Sequence, residues 1–155
     1  MPRPASAALR PVASLGDPST GPGRVLGLDH GTHRVGIAVS DALRMTAQPL
    51  EVVARAIAVD RVRELVAEYE IRDIVVGLPT SLNGTEGPPA TAARAFGDQI
   101  SLATGIEVRY VDERFTTVTA EKAMLEGGAS RRVRRDSLDK VAAAIILQGF
   151  LDRPL

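Results

Sequence analysis

The chain of 155 residues contains no cysteine, and its only histidines are His30 and His33. Without thiols it can form neither a disulfide nor a thiolate metal site, which is typical of proteins from a reducing compartment. No apolar run approaches the length of a bilayer-spanning helix, and prolines interrupt the first residues, where a signal peptide would need continuous apolar sequence. We therefore expect a cytoplasmic protein with no membrane segment.

An excess of charge of either sign is also missing, since the chain has 19 basic and 19 acidic residues. The net charge therefore gives no argument for a polyanionic partner. Four arginines nevertheless fall within five positions, at Arg131, Arg132, Arg134 and Arg135. Such a cluster could contact phosphates, although charge alone favours a solvated loop.

The length suits one domain and is too short for two ordinary ones. Residues 1–23 are rich in Pro, Ala, Ser and Gly and show no apolar periodicity. A segment of this composition buries too little apolar surface to offset the entropy of ordering it. We therefore expect a disordered extension over residues 1–23 and a folded domain over residues 24–155.

The folded part begins with three predicted strands. Apolar runs at residues 25–28 and 35–39 flank a turn that contains Gly31, and this pattern predicts an antiparallel hairpin. A third strand is predicted over residues 50–56. Each of the first three strands should therefore run antiparallel to the one before it.

Helices and strands then alternate. In chain order the patterns predict a helix capped by Asp60, a strand at 73–78, a loop at 79–89, a helix through Phe96, a strand at 107–111, a helix from Thr117 to Gly127, a basic loop at 131–135 and a helix from about Asp136. Residues 141–147 of the last helix are apolar nearly all round, so it should pack on the sheet. The whole pattern predicts an α/β domain with a mixed five-stranded sheet and helices on its faces.

Four acidic residues stand where function usually concentrates. Asp29 ends the first strand, Asp112 and Glu113 end the fifth, and Asp139 lies in the first turn of the most apolar helix. Carboxylates that converge would repel one another unless they shared a cation, and oxygen ligands suit Mg²⁺ or Mn²⁺. Two such ions about 4 Å apart can activate a water against a phosphodiester.

Each acid also has a simpler explanation. Asp29 could merely turn the chain. Asp136 and Asp139 could be a helix cap and an acid favoured by the helix dipole. Asp112, Glu113 and Arg114 could form an exposed ion-paired corner, and the histidines fit a turn better than a metal site. From the residues alone these alternatives remain open.

Four segments in register resemble the YqgF family, also called RuvX, whose members are similar to Holliday junction resolvases. These segments are residues 27–41 (GLDHGTHRVGIAVSD), 75–79 with 83–87 (VVGLP and NGTEG), 112–117 (DERFTT) and 139–144 (DKVAAA) with Leu147 and Gln148. They are distributed through residues 24–152 in the family's order and spacing, so only the extension lies outside the resemblance.

The resemblance implies an RNase H-like fold and a nuclease that processes the 5′ end of pre-16S rRNA with divalent metal, Mg²⁺ or Mn²⁺, as two ions. It places catalytic, metal-binding acids on Asp29, Glu113 and Asp139, with Asp112 as the substitute for Glu113. Adjacent strand residues face opposite ways, so one of that pair should join Asp29, and we choose Glu113. Phosphates would be contacted by Arg34, Arg114, Arg131, Arg132, Arg134 and Arg135.

Three alternatives compete with an rRNA nuclease. The first is a Holliday junction resolvase on four-way DNA, which should be a homodimer, whereas an rRNA nuclease could be a monomer. The second is an ATPase of the actin-like type, because residues 26–36 resemble its first phosphate loop. That fold needs two halves of roughly 100 residues each. The third is a non-catalytic RNA-binding module.

Overall fold

The computed structural model describes residues 22–115 and 131–153, and side chains at 115 and 131–139 lie outside that description. Its elements, in chain order, are β1 (Arg24–His30), β2 (Arg34–Ser40), β3 (Ala47–Ala54), α1 (Arg55–Tyr69), β4 (Ile71–Leu78), α2 (Pro88–Thr104), β5 (Val108–Asp112), a 3₁₀ turn (Glu113–Phe115) and α3 (Arg131–Asp152). The expected extension at 1–23, up to residue 21, and the predicted helix from Thr117 to Gly127 lie outside the described residues.

The five strands form one mixed sheet in the order β3-β2-β1-β4-β5. β1 pairs antiparallel with β2, and β2 with β3, whereas β1 with β4 and β4 with β5 are parallel. The antiparallel order of the first three strands and the mixed sheet are therefore confirmed. Because β2 runs against β1, its first residues lie at the same end of the sheet as the last residues of β1, β4 and β5.

Each face of the sheet is covered by helices. Leu26 and Leu28 of β1 pack with α1 and α2, and Val25 packs with α3. This alternation follows from the pleat, since successive side chains point to opposite faces. Both faces are buried, which explains why β1, β2 and β4 read as continuous apolar runs rather than alternating ones.

Helix α3 lies close to the sheet above two glycines, Gly27 of β1 and Gly77 of β4. A Cβ built on Gly27 would meet Leu147 Cβ at 2.7 Å and the Ala143 carbonyl oxygen at 3.2 Å. At the far end of α3, the backbone N–H of Ala47 donates to Gln148 Oε1 at 2.9 Å. Ala47 starts β3 beside the end of β2, so the amino-terminal half of α3 points towards the opposite end of the sheet, where β1 ends.

Two helix starts differ from the sequence prediction. Asp60 does not cap α1, because the helix begins five residues earlier at Arg55. The residues from Arg55 to Val59 contain no glycine or proline, so nothing stops the helix from extending back to the end of β3. The predicted basic loop at 131–135 is wrong for the same reason, since the backbone of α3 is helical from Arg131.

β3 is an edge strand of the sheet and contains two irregular features. Pro49 lies within the strand, opposite Ala38, and the register of the β2–β3 pair shifts between Ile37 and Ala38. Proline lacks an N–H, and within sheets it is confined to edge strands and bulges. The strand was predicted at residues 50–56 and begins earlier, at Ala47, because this proline does not interrupt it.

A carboxylate at the end of β5 anchors the loop between β4 and α2. Asp112 accepts hydrogen bonds from Thr80 Oγ1 at 2.8 Å and from Arg114 Nη2 at 2.8 Å. Arg114 Nη1 in turn donates to the Leu82 carbonyl oxygen at 3.3 Å. The hydrogen bonds that Asp112 accepts lower its pKa from 3.8 to about 2, chiefly through the side chain of Arg114.

Within residues 22–115 and 131–153, no helix combines the length and apolar character that crossing a membrane requires.

Replacing Gly27 by Ala should lower the free energy of unfolding by about 3 kcal/mol, because the added methyl meets the backbone of α3, which has little room to retreat. Urea unfolding measures this. Gly87→Ala is the control: apart from its chain neighbours, its methyl would meet no atom closer than Pro89 Cδ at 3.8 Å, so we expect a change within about 1 kcal/mol. Equal losses in both variants would contradict the proposed tight contact with α3.

Replacing Asp112 by Asn should lower the free energy of unfolding at pH 7, because it removes the charge that pairs with Arg114. The loss should be only about 1 to 2 kcal/mol, since solvent partly screens the carboxylate. The folded pKa of Asp112 lies below its ordinary value, so its contribution is present above pH 4 and is lost as the pH falls from about 4 towards 2. Urea unfolding of both proteins across that range should show the difference shrinking.

Asp60→Asn provides the control for that titration, since the Asp60–Arg63 pair has side chains 74% and 60% exposed. It should change stability by less than about 0.5 kcal/mol at every pH. A difference between wild type and Asp112→Asn that stays constant down to pH 2.5 would contradict the assignment.

Candidate nucleic-acid cleavage site

Asp29 is a buried carboxylate at the end of β1, with 4% of its surface exposed. It pairs across the sheet with Gly36 of β2. Because Leu28 faces α1 and α2, the pleat places the side chain of Asp29 on the opposite face, the one covered by α3. A charged group at such a depth is costly unless it is paired or coordinates a cation.

Glu113 is buried as well, with 8% of its surface exposed, and it opens the 3₁₀ turn that follows β5. Its Oε2 lies 3.1 Å from the position that a Cβ on Gly77 would occupy. Gly77 belongs to β4, and its neighbour Val75 packs with α3. The carboxylate of Glu113 therefore reaches back over β4 on the α3 face of the sheet.

These positions bring the two carboxylates towards each other. β4 lies between β1 and β5, and neighbouring strands are about 4.8 Å apart. Because its side chain extends over Gly77, the charge of Glu113 lies above β4 rather than above β5. Since β4 is next to β1, that charge is roughly one strand spacing from Asp29. The structure thus places Asp29 and Glu113 on the same face and at the same end of the sheet.

Asp139 is a helical residue of α3, and its side chain lies outside the described residues. Its backbone comes one turn before Ala143, whose carbonyl oxygen lies above Gly27 of β1. Since the amino-terminal half of α3 points towards the end of β1, the helix carries residue 139 in the direction of Asp29.

Asp112 does not join this pair. Its carboxylate is engaged with Thr80 and Arg114, and Leu78, its partner in β4, packs on the α1 and α2 face. The structure therefore places Asp112 on the opposite side of the sheet from Asp29. Arg114, expected to contact phosphates, binds Asp112 and the loop at Leu82.

His30 also faces away from the acids. Its ring stacks on Phe96 of α2 with centroids 4.7 Å apart. Burial, followed by the charge of Arg55, lowers the pKa of His30 below its ordinary value. This imidazole favours its neutral form and packs against the core.

A cleft along β3 contains two basic side chains. It has a volume of about 450 Å³ and is lined by Arg34, Leu50, Glu51, Val52, Val53, Ala54 and Lys140. Glu51 binds Arg61 through two hydrogen bonds of 2.8 and 2.9 Å, which offset its charge. Arg34 begins β2, at the same end of the sheet as Asp29.

Sequence reasoning named Arg34 but missed Lys140. The signal was present in part, because Lys140 follows Asp139 in the motif that begins the apolar part of α3. The contact with β3 could not be inferred, since it joins residues far apart in the chain. The predicted phosphate contacts at Arg131, Arg132, Arg134 and Arg135 lie on the first turns of α3, and their side chains are outside the described residues.

The donor set fits a hard divalent cation. Asp29 and Glu113 supply carboxylate oxygens, which Mg²⁺ and Mn²⁺ prefer. The described residues contain no group of three candidate metal ligands, so any third protein ligand comes from outside them. Mg²⁺ sites use one or two carboxylates together with water and phosphate oxygens, and two buried acids meet that requirement.

Comparison with known proteins identifies relatives along nearly the whole domain. The family model described as "RuvX: Holliday junction resolvase" matches residues 23–153. A relative from Lactococcus lactis subsp. cremoris (strain MG1363), named "Putative pre-16S rRNA nuclease", is 47% identical over 134 residues, which cover 83% of this chain and 94% of the relative. A relative of the same name from Moorella thermoacetica is 47% identical over 133 residues, covering 84% and 95%.

Solved structures agree on the fold. Thermus thermophilus RuvC in complex with a Holliday junction substrate superposes with a TM-score of 0.53 at 19% identity, covering 84% of this chain and 96% of RuvC. At that identity the likeness concerns architecture, and it confirms the RNase H-like fold expected from the sequence. The family match over residues 23–153, the two relatives at 47% identity and the shared fold show that the chain belongs to the RuvX family of Holliday junction resolvase-like proteins.

Proposed function

We propose that this protein is a metal-dependent endonuclease that hydrolyses phosphodiester bonds of pre-16S rRNA in the cytoplasm. The observation that carries the proposal is the convergence of two buried carboxylates, Asp29 and Glu113, from different strands onto one face of the sheet. The names of the relatives support the substrate, since both are called pre-16S rRNA nucleases. The nuclease domain is proposed to occupy residues 24–155, with residues 1–23 as an extension.

In this proposal, Asp29, Glu113 and Asp139 hold Mg²⁺ or Mn²⁺, as two ions. When bound, such ions lower the pKa of an attacking water and stabilise charge on the leaving oxygen. Asp29 is fixed by the pairing of β1 with β2, and Glu113 by the turn after β5 and by the surface of β4. Both side chains therefore hold their positions before substrate arrives, which avoids a reorganisation cost during the reaction.

The substrate backbone is proposed to lie along the cleft between α3 and β3. Arg34 and Lys140 line that cleft and would attract phosphates without reading the sequence. The arginines at 131, 132, 134 and 135 would extend this basic surface along the start of α3. The acids would thus act on a phosphate held between the cleft and the end of the sheet.

Four-way DNA is the second candidate substrate, because the family model carries the description Holliday junction resolvase. The same acids would serve, and a resolvase acts as a homodimer on two symmetric strands. The ATPase alternative needs two sheet domains around a cleft, whereas the described residues form one five-stranded sheet. A non-catalytic RNA-binding module would bind RNA and cut none of the substrates.

Asp29→Asn and Glu113→Gln should each lower the cleavage rate more than about 100-fold. Groups that only support a metal ligand contribute up to about that factor, so losing a ligand itself should cost more. Cleavage is measured on pre-16S rRNA leader, four-way DNA and single-stranded RNA, with Mg²⁺ or Mn²⁺. Circular dichroism should remain that of the wild type, because both substitutions keep the shape of the side chain.

Glu64→Gln is the matched control for those two substitutions, since Glu64 lies on α1 with its side chain 65% exposed. It should cleave at the wild-type rate. Preference for the rRNA leader supports the proposed substrate, and preference for four-way DNA would replace it by the second candidate. Full activity of Asp29→Asn on every substrate would defeat the site assignment.

Arg34→Gln and Lys140→Gln should each weaken RNA binding and flatten the plot of log K against log salt by about 0.7 for each phosphate contact removed. Binding is measured in the Asp29→Asn background, so that cleavage does not interfere. Arg63→Gln, on the other face of the sheet, is the control and should keep the full slope. An unchanged slope in both cleft variants would move the substrate path elsewhere.

A further inference from the structure

Gly77 occupies a place in β4 where its backbone does not require glycine. Its φ lies outside the left-handed range in which glycine is favoured, unlike those of Gly23, Gly84 and Gly105. Glycine inside a strand costs stability, because it gives up side-chain packing and gains freedom in the unfolded chain. The glycine at this position is therefore explained by the space that its missing side chain leaves for neighbouring groups.

Two side chains occupy that space. A Cβ on Gly77 would lie 2.4 Å from Ile146 Cδ1 and 3.1 Å from Glu113 Oε2. Ile146 is completely buried in α3, so one reason for the glycine is close packing of the helix. The second contact is to the carboxylate itself, which rests on the bare backbone of β4 instead of on a side chain.

We propose that Gly77 is a positioning residue for Glu113, and that the missing side chain is what allows the carboxylate to lie over β4 within reach of a cation shared with Asp29. This inference rests on the proposed function. A methyl group at residue 77 would force Glu113 Oε2 away by a few tenths of an ångström. Mg²⁺ demands near-ideal octahedral geometry, so a small shift of one ligand weakens its binding.

The competing explanation is that Gly77 serves only the packing of α3. The two explanations separate in the double variant Gly77→Ala/Ile146→Val. Valine removes Cδ1 and with it the contact of 2.4 Å. The contacts of the new methyl with Cγ1 of residue 146 and with Glu113 Oε2, both at 3.1 Å, remain. If packing alone mattered, the double variant would regain both stability and metal binding. If Gly77 positions Glu113, it would regain stability and leave metal binding impaired.

The test measures thermal unfolding of the full chain as Mn²⁺ is added, because a ligand that binds the folded state raises the melting temperature. For Gly77→Ala and for the double variant we expect the apparent Mn²⁺ dissociation constant to rise about 10- to 100-fold. Ile146→Val alone and Gly87→Ala, which adds a methyl at the start of α2, should respond like the wild type. Cleavage should show the loss in kcat at saturating substrate, with KM little changed.

Glu113→Gln separates failure of this inference from failure of the proposed function. If Glu113→Gln loses the Mn²⁺ response and the double variant keeps it, Gly77 serves packing alone and the inference is wrong. If the wild type and Glu113→Gln respond alike, Glu113 is not a ligand, and the proposed site fails together with the inference. If Gly77→Ala does not fold, the double variant, relieved of the closest contact, decides the question.

Discussion

Close packing of α3 against bare stretches of β1 and β4 is the constraint on which the rest of the structure depends. Side chains at Gly27 or Gly77 would hold the helix away from the sheet, because Leu147, Ala143 and Ile146 already fill the space above them. The same approach covers the second face of the sheet and buries it. It also directs the start of α3, and with it residue 139, towards the end of the sheet where Asp29 lies.

The pleat of the sheet then sorts the polar residues. Side chains of adjacent residues leave a strand on opposite faces, so Asp29 faces α3 and His30 faces α2. At the end of β5, Asp112 bonds to the loop after β4, while Glu113, the first residue of the 3₁₀ turn, lies over the surface of β4. One face therefore gathers acids, and the other uses its polar groups to hold loops in place.

Much of this could be predicted because the relevant patterns are local. The apolar runs around Gly31 predicted the first hairpin, and buried-type runs predicted β4 and β5 within a few residues. The position of Asp29 at a strand end followed from the apolar run before it. Alternation along a strand indicated that at most one of Asp112 and Glu113 joins Asp29, and the choice of Glu113 came from the family resemblance. The structure places Asp29 and Glu113 on one face and at one end of the sheet, and their role as a metal site remains a prediction.

What the sequence left unpredicted depends on contacts between distant segments. The two helix starts are the exception, because they depend on local sequence. No glycine or proline interrupts residues 55–59 or 131–135, so α1 begins at Arg55 and α3 at Arg131. The bonds of Arg114 to Asp112 and Leu82 join residues up to 32 positions apart. The cleft between Lys140 and β3 likewise exists only once the helix has packed on the sheet.

The irregular outer strand has a consequence for self-association. An open edge is a template on which another chain can add a strand, and proteins deter this with proline, bulges and twist. β3 carries Pro49 and a register shift, which together interrupt the regular ladder that an incoming strand would copy. Two copies are therefore discouraged from joining through their β3 strands into one continuous sheet, and a twofold assembly would use a surface other than this edge.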